Sequence, residues 1–541
     1  MYGWAAETGG DFDLQSYLDQ QIKSGSHRII IPPGRYRVTP HGGSHLYFHD
    51  LANLEILADG VEMVCTQTRH AVVFNHCNGV HLKGLTIDYD PLPMTEGRIV
   101  ALAPDKSWLE FQIFDGYPTN DLVDRIEIYD PATAELRRSS YYGWGPFEEL
   151  GPGRYHISKG KNYKYNLAND TEQVGDIFVT NHDHPAHTEE HAVELGDCTA
   201  VKLENITVYA SPCFGFFEHG CRGDIYQHCV IDRRSPENDP IKRGYQRMRS
   251  LNADAYHSTE AIIGPSIIHC VAKYMGDDAV NIHGHYSMVL ACTGSSLRVA
   301  APDGLSIHSG DTVEFLPFQG IRPPDAKVKS IQPDAPLASP EKSFVEKLGL
   351  NAHIKSILLS GEAKLYRLDL DQTVVLPEGS LVAATDRVGN GFTVQGCDFG
   401  YNRSRGILIK ASHGRVKDNT IRHGWMAGVL IAPEFWWLES GSSSDLLISN
   451  NVITGCHQTA IQVAAPGGDG HPLASGAHRD IEIMNNSIAG SSWPDIQVTS
   501  CAGLVIQGNR LTPLFSGASA SGHPLPIEVK LCTQEDIQPM P

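Results

Sequence analysis

Short apolar strands followed by polar corners recur through the last third of the chain, and this rhythm limits the fold more than any other feature. Phe392-Thr-Val394, Gly406-Ile-Leu-Ile-Lys410, Gly428-Val-Leu-Ile431, Asp445-Leu-Leu-Ile-Ser-Asn-Asn-Val-Ile453, Ala460-Ile-Gln-Val463, Ile481-Glu-Ile-Met-Asn-Asn-Ser-Ile488 and Leu504-Val-Ile-Gln-Gly-Asn-Arg-Leu511 follow one another. None is long enough to bury an apolar face alone, so neighbours must stack into a solenoid with one continuous core. The Asn-Asn or Gly-Asn before several closing strands suits a left-handed corner, which these residues adopt at low cost. Earlier segments carry the same pattern: Leu54-Glu-Ile-Leu57, Val72-Val-Phe74, Val80 to Asp88, Ala192-Val-Glu-Leu195 and Val201 to Val208. Leu14, Tyr17, Leu18 and Ile22 stand at helical spacing before the strand from Arg28, as a cap over an open core end would. The expected fold is all-β: a right-handed parallel β-helix.

The rhythm breaks twice, which implies two inserted small β-barrel-like domains. The reading is a cap and first coils over 1–92, a first insertion over 93–188 and catalytic coils over 189–285. A second insertion spans 286–392, and the last coils and tail span 393–541. His182-Asp-His-Pro-Ala-His-Thr-Glu-Glu-His191 is rich in potential metal ligands, but Pro185 interrupts it and no regular element would converge them. It reads as a solvated loop, and no metal site is expected.

The formal net charge of −20 argues against a nucleic-acid partner and mildly against a polyanionic substrate. The 12 cysteines show no framework spacing and read as buried thiols. No run is apolar enough to span a membrane. The start, Met1-Tyr-Gly-Trp-Ala-Ala-Glu7, lacks the features of a signal peptide, which leaves a cytoplasmic protein or a trimmed secreted or periplasmic form. The insertions offer surfaces for a homodimer.

Chemistry concentrates in two segments, Leu251-Asn-Ala-Asp-Ala-Tyr-His257 and Gly276-Asp-Asp-Ala-Val-Asn-Ile-His-Gly284. Asp254 and Asp278 lie 24 residues apart, a plausible coil length, so they are expected at equivalent positions one ladder step apart, about 4.8 Å. Asp277 stands beside them. One Asp-Ala step would read as a corner residue; two in register, one doubled, point to catalysis. Crowded like charges push at least one pKa up, and a protonated acid beside an ionised base is glycosidase equipment. The same face is expected to present Glu218, His219, His257, Asn281 and His283, then Arg405 and Lys410. Tyr256, Trp425, Trp436 and Trp437 are candidate stacking surfaces for a sugar ring. Both Asp277 and Asp278 reach one groove only if the chain bends at Gly276, because an ideal strand points successive side chains to opposite faces.

Asn252-Ala-Asp254, Gly276-Asp-Asp278, His283-Gly284 and Arg405-Gly-Ile-Leu-Ile-Lys410 resemble the signature of the polygalacturonase-type β-helix hydrolases of glycoside hydrolase family 28. Ala253, Ile282 and Leu408 depart from it, and a long insertion follows His283-Gly284. The version Asp277-Asp-Ala-Val-Asn-Ile-His-Gly284, with two insertions, looks more like glycoside hydrolase family 110. Those are exo-acting α-1,3-galactosidases, some of which remove the terminal galactose of the blood-group B antigen. The resemblance implies an inverting α-galactosidase with Asp277 as general acid and Asp254 and Asp278 holding the attacking water. Glu218, His257, Asn281, His283, Arg405, Lys410 and Trp425 are then candidates for binding a galactoside. Water activated by carboxylates needs no cofactor. The rivals are a polygalacturonase-type hydrolase, a polysaccharide lyase with a calcium site, and a glycan-binding module without catalysis.

Overall fold

The computed structural model describes residues 13–141, 144–160, 171–182, 190–239, 245–302, 304–492, 494–512 and 526–538. Part of the histidine-rich segment, 183–189, lies outside the described residues. The chain winds into a parallel β-helix. One face is a sheet of parallel strands from Ser44–His49 through Phe216–His219, Tyr256–Thr259, Val280–His285, Ile407–Ile409 and Val429–Ile431 to Ile527–Lys530. A 21-stranded sheet forms the rest of the coil wall. The helix Leu14–Lys23 caps the first coils, with Asp13 accepting from the Ser16 backbone N–H and Leu14 and Leu18 fully buried.

Strand alternation sorts side chains into inside and outside lines. In register, Val193, Phe216, Tyr256, Val280, Ile407 and Val429 stack inward, and Glu194, Phe217, His257, Asn281, Leu408 and Leu430 stack outward. This settles two expectations against the groove. Tyr256 is 2% exposed and stacks on Phe216 inside the coil, so it is no sugar platform. Glu218 also points inward. It accepts from Tyr226 Oη at 2.9 Å and Ser258 Oγ at 2.7 Å, so it does not line the groove.

Inside the coil, burial followed by the nearby Asp224 charge pushes the Glu218 carboxyl up to about 8. A carboxyl with a raised folded-state pKa binds a proton that the unfolded chain has already released. Its stabilisation is therefore complete below the unfolded value and is lost as pH rises through about 8. The melting temperature should fall between pH 5 and 9, and Glu218→Gln should flatten that slope by on the order of a few °C. Thermal denaturation of both proteins across that range checks it. Equal slopes would show that Glu218 is ionised in its native site.

The asparagine corners do two jobs. Asn450 and Asn485 adopt φ of 55° and 57°, as their left-handed corners require. The next residues build a buried ladder. Asn419, Asn451, Asn486 and Asn509 stack in successive coils; the side-chain oxygens of the last three each accept from the backbone and side-chain N–H groups of the asparagine before, at 2.9–3.0 Å. Cys229, Cys270 and Cys397 occupy the same corner in earlier coils. All 12 cysteines are free thiols. Asn451→Leu strands several buried partners at about 1–3 kcal/mol each. A clear drop in the urea midpoint is expected, and an unchanged midpoint would remove the ladder from the account of stability.

The first insertion is a seven-stranded antiparallel sheet, with Met94–Leu102 and Leu122–Tyr129 flanking Ile177–His182. It docks through buried charge on the segment that leads into the Tyr256–Thr259 coil. Glu96 accepts from the backbone N–H groups of Met248 and Arg249, and the fully buried Arg249 reaches Glu127, Asn181 and Asn252. The second insertion closes a six-stranded barrel, Ser287–Thr293 through Leu381–Ala384. It carries two helices, Ser339–Lys347 and Ala352–Ser360, where only short strands were expected. Glu314 of the barrel accepts from Tyr286 Oη and from the Ser442 N–H of the coil. No helix among the described residues is long and apolar enough to cross a membrane.

Candidate active site

The coil register brings Asp254 and Asp278 to equivalent places, each two residues before paired strands that start at Tyr256 and Val280. Asp278 N–H donates to Asp254 Oδ1 at 3.0 Å, and Arg405 N–H donates to Asp278 Oδ1 at 2.6 Å. Asp277 lies in the turn before Val280–His285 rather than in the strand, so strand alternation does not apply to it. Gly276 makes that turn fit: a Cβ there would sit 2.6 Å from the Asn252 carbonyl. Asp254, Asp277 and Asp278 each bring an oxygen within 4.8 Å of the others. Asp277 is the open member, its side chain 29% exposed against 6% for Asp254 and 3% for Asp278.

Cations surround the trio. Arg125 and Arg403 both bond Asp277 Oδ2, Arg125 at 3.0 Å. Arg405 pairs with Asp278 Oδ2 at 2.9 Å and with Glu434 at 3.3 Å. Lys410 is fully buried and contacts Glu434 at 3.0 Å, Glu439 at 2.5 Å and Asn281 Oδ1 at 3.1 Å. His257 Nδ1 lies 2.7 Å from Asp254 Oδ2, and its Nε2 lies 2.9 Å from His283 Nε2. Its ring stacks on Phe214 at 4.1 Å. Burial keeps His283 well below the usual imidazole range. Its Nδ1 is turned to the Gly284 carbonyl at 2.8 Å. Gly284 is required where it stands, because a Cβ would lie 2.3 Å from the Arg387 carbonyl and 2.7 Å from Ser440 Oγ.

The electrostatics separate the two neighbouring aspartates. Burial alone would raise Asp277, but Arg403, Arg125 and Arg405 pull it below the usual carboxylate value. Burial raises Asp278 well above that value against the pull of Arg405, helped by the charges of Asp254, Asp277 and Glu434. Asp254, Asp277, Asp278, Glu434 and Glu439 outnumber the permanent cations Arg125, Arg403, Arg405 and Lys410 by one, with Glu127 matched by Arg249. That imbalance and the opposite shifts favour a proton on Asp278 over one on Asp277. The trio's spacing would also suit a cation. The arginines against Asp277 and Asp278 already supply the positive charge an ion would bring.

Of the expected residues, Asp254, His257, Asp277, Asp278, Asn281, His283, Arg405 and Lys410 converge. His219 faces outward one coil earlier, beside Glu194 at 3.4 Å. Trp425 lies half-buried opposite Arg403 on the next coil, stacked on His457 at 4.0 Å. Trp436 and Trp437 are exposed on a turn between Glu434 and Glu439. Glu434, Glu439, Arg403 and Arg125 were not expected. Arg403 stands two residues before Arg405, and the two glutamates flank the tryptophan pair, so both were within reach of a motif search. Arg125 was not, because it comes from the first insertion.

Residues 381–523 match the family model described as a right handed beta helix region. An α-1,3-galactosidase A of Bacteroides fragilis is 21% identical over 97% of this chain and 88% of its own length. An α-1,3-galactosidase B of Bacteroides thetaiotaomicron is 20% identical over 81% of this chain and 72% of its own. Among solved structures, a family 28 exopolygalacturonase of Yersinia enterocolitica aligns over 98% of this chain and 77% of its own, at 9% identity and a TM-score of 0.44. A β-helix bearing a carboxylate centre is equipment that glycosidases use, and the two relatives above carry glycosidase names. The chain is a homologue of proteins named α-1,3-galactosidase, which its motifs also resemble.

Proposed function

We propose that the protein is an exo-acting α-1,3-galactosidase that releases terminal galactose with inversion. The observation that carries this reading is the asymmetric trio: one open carboxyl, Asp277, beside a buried pair, Asp254 and Asp278, one coil apart. The pair holds the attacking water, and Asp277 faces the glycosidic oxygen. One proton serves both tasks. At rest it lies on the Asp278 side; moved to Asp277, it leaves a charged pair to activate water and an acid to protonate the leaving group. Arg405 is the cation beside the pair that can meet a sugar hydroxyl, while the buried Lys410 and Asn281 brace Glu434 and Glu439 behind it. Arg125 pairs with Asp277 on one side and Glu434 of the Glu434 to Glu439 hairpin pairs with Arg405 on the other; a site bounded in this way would take a chain end. A terminal galactose of the blood-group B type is the natural candidate.

Proton NMR of galactose released from an α-1,3-galactobioside, read within minutes, tests this. β-Galactose first is the expected result. One observation favours a second reading: oxygens within 4.8 Å lie nearer the roughly 5–5.5 Å carboxyl gap of retaining enzymes than the roughly 6.5–9.5 Å of inverting ones. α-Galactose first would establish retention, with one of the trio as nucleophile. No galactose, with turnover of a uronate polymer, would replace the substrate class.

A further inference from the structure

The first inserted sheet reaches into the catalytic centre with one residue. Arg125 lies on Leu122–Tyr129 and donates from Nη2 to the Gly276 carbonyl at 2.9 Å and to Asp277 Oδ2 at 3.0 Å. Arg403, from the coil on the other side, makes the same two bonds, from Nε to the Gly276 carbonyl and from Nη2 to Asp277 Oδ2. Two guanidinium groups therefore staple one carboxylate to the carbonyl of the residue before it. Planar guanidinium groups fix geometry as well as charge. The strand period explains how one element serves both: Arg125 and Glu127, two residues apart, share a face. Arg125 meets Asp277 directly, and Glu127 lies 3.3 Å from Arg403 Nε. Glu127 is itself anchored by the buried Arg249. The sheet thus carries one clamp and braces the other.

We propose that Arg125 is a positioning residue for Asp277, and that with Arg403 it sets the direction in which that carboxyl faces the groove. The inserted sheet is then part of the catalytic centre. This rests on reading Asp277 as the proton donor. The clamp explains how Asp277 and Asp278, adjacent in sequence, take different environments: the arginines hold the first outward while Arg405 holds the second against Asp254.

Charge also enters. Asp277 is faced by Arg125 from the inserted sheet, Asp278 on its own coil, Asp254 with His257 on the preceding coil, Arg403 and Arg405 on the next coil, and Glu434 on the hairpin. Removing one cation from this group makes the shared proton harder to lose.

The experiment compares Arg125→Gln and Arg125→Lys with the wild type on an α-1,3-galactobioside and on α-galactosyl fluoride, whose leaving group needs no proton. Arg125→Gln should lower kcat on the disaccharide by about 10²-fold, as a misplaced acid does, with KM little changed. It should leave the fluoride nearly unaffected and move the alkaline limb of the kcat/KM profile to higher pH. Arg125→Lys should restore the limb but not the rate. Equal losses on both substrates, or an alkaline limb unmoved in Arg125→Gln, would overturn the proposal. Asp277→Asn in parallel separates the two ideas. If it spares the fluoride while Arg125→Gln does not, the acid stands and the clamp falls. If it loses both substrates equally, the reading of Asp277 falls and takes the clamp with it.

Discussion

Asp277→Asn is expected to cut turnover of an α-1,3-galactobioside by about 10²–10⁴-fold, the usual worth of a positioned general acid. α-Galactosyl fluoride should lose far less. The amide keeps the shape of the carboxyl and the Gly276 turn, but it has no proton to give. A fluoride leaves without one, so the water pair alone suffices for it. The two substrates together locate the step. Equal losses on both would assign Asp277 to water activation or sugar binding and pass the acid role to Asp278, whose carboxyl burial pushes well above the usual range. Folding is not expected to obscure the result, because Asp277 is the most exposed of the three and its clamp also holds the Gly276 carbonyl.

Asp278→Asn should have the opposite profile: activity lost on both substrates, by about 10³-fold or more, in a protein more stable than the wild type. The loss follows because the water pair needs both carboxylates and the fluoride needs that water as much as the disaccharide does. The gain follows from linkage. Burial and the neighbouring Asp254, Asp277 and Glu434 charges raise the folded-state pKa of Asp278 well above its ordinary value. The stabilising protonation is complete below the unfolded value and is withdrawn as pH rises through the folded one. A neutral amide escapes that penalty. The melting temperature of the variant should therefore exceed that of the wild type increasingly towards alkaline pH. A variant less stable than the wild type at all pH values would show that the Arg405 pairing outweighs the repulsion. An active one would remove Asp278 from the chemistry. Stability bought by losing activity is the common pattern where like charges are held together for function.

The coil rhythm, the cap helix, the Asp254–Asp278 register and the Lys410–Arg405 side of the centre are legible in sequence because each depends on short-range periodicity. Apolar residues two apart must share a face, and repeats of near-equal length must stack. The same rule keeps Glu218 and Tyr256 out of the groove. Glu218 and Tyr256 stand on groove-sheet strands, but they occupy the inward parity; their register with Leu195 and Val280 decides the face. What tertiary structure alone decided are contacts between residues far apart in the chain. Arg125 meets Asp277 across 152 positions, and Glu439 meets Asn281 across 158. No local pattern encodes such meetings: the first depends on how an insertion docks, set by buried charge networks such as Glu96, Glu127, Arg249 and Asn252, and the second on how the Glu434 to Glu439 turn pairs back onto the coil at His285. The sequence by itself determined that three aspartates would gather on a β-helix. The folded chain decided how differently their environments treat them, because that belongs to the arginines and glutamates that distant segments bring alongside.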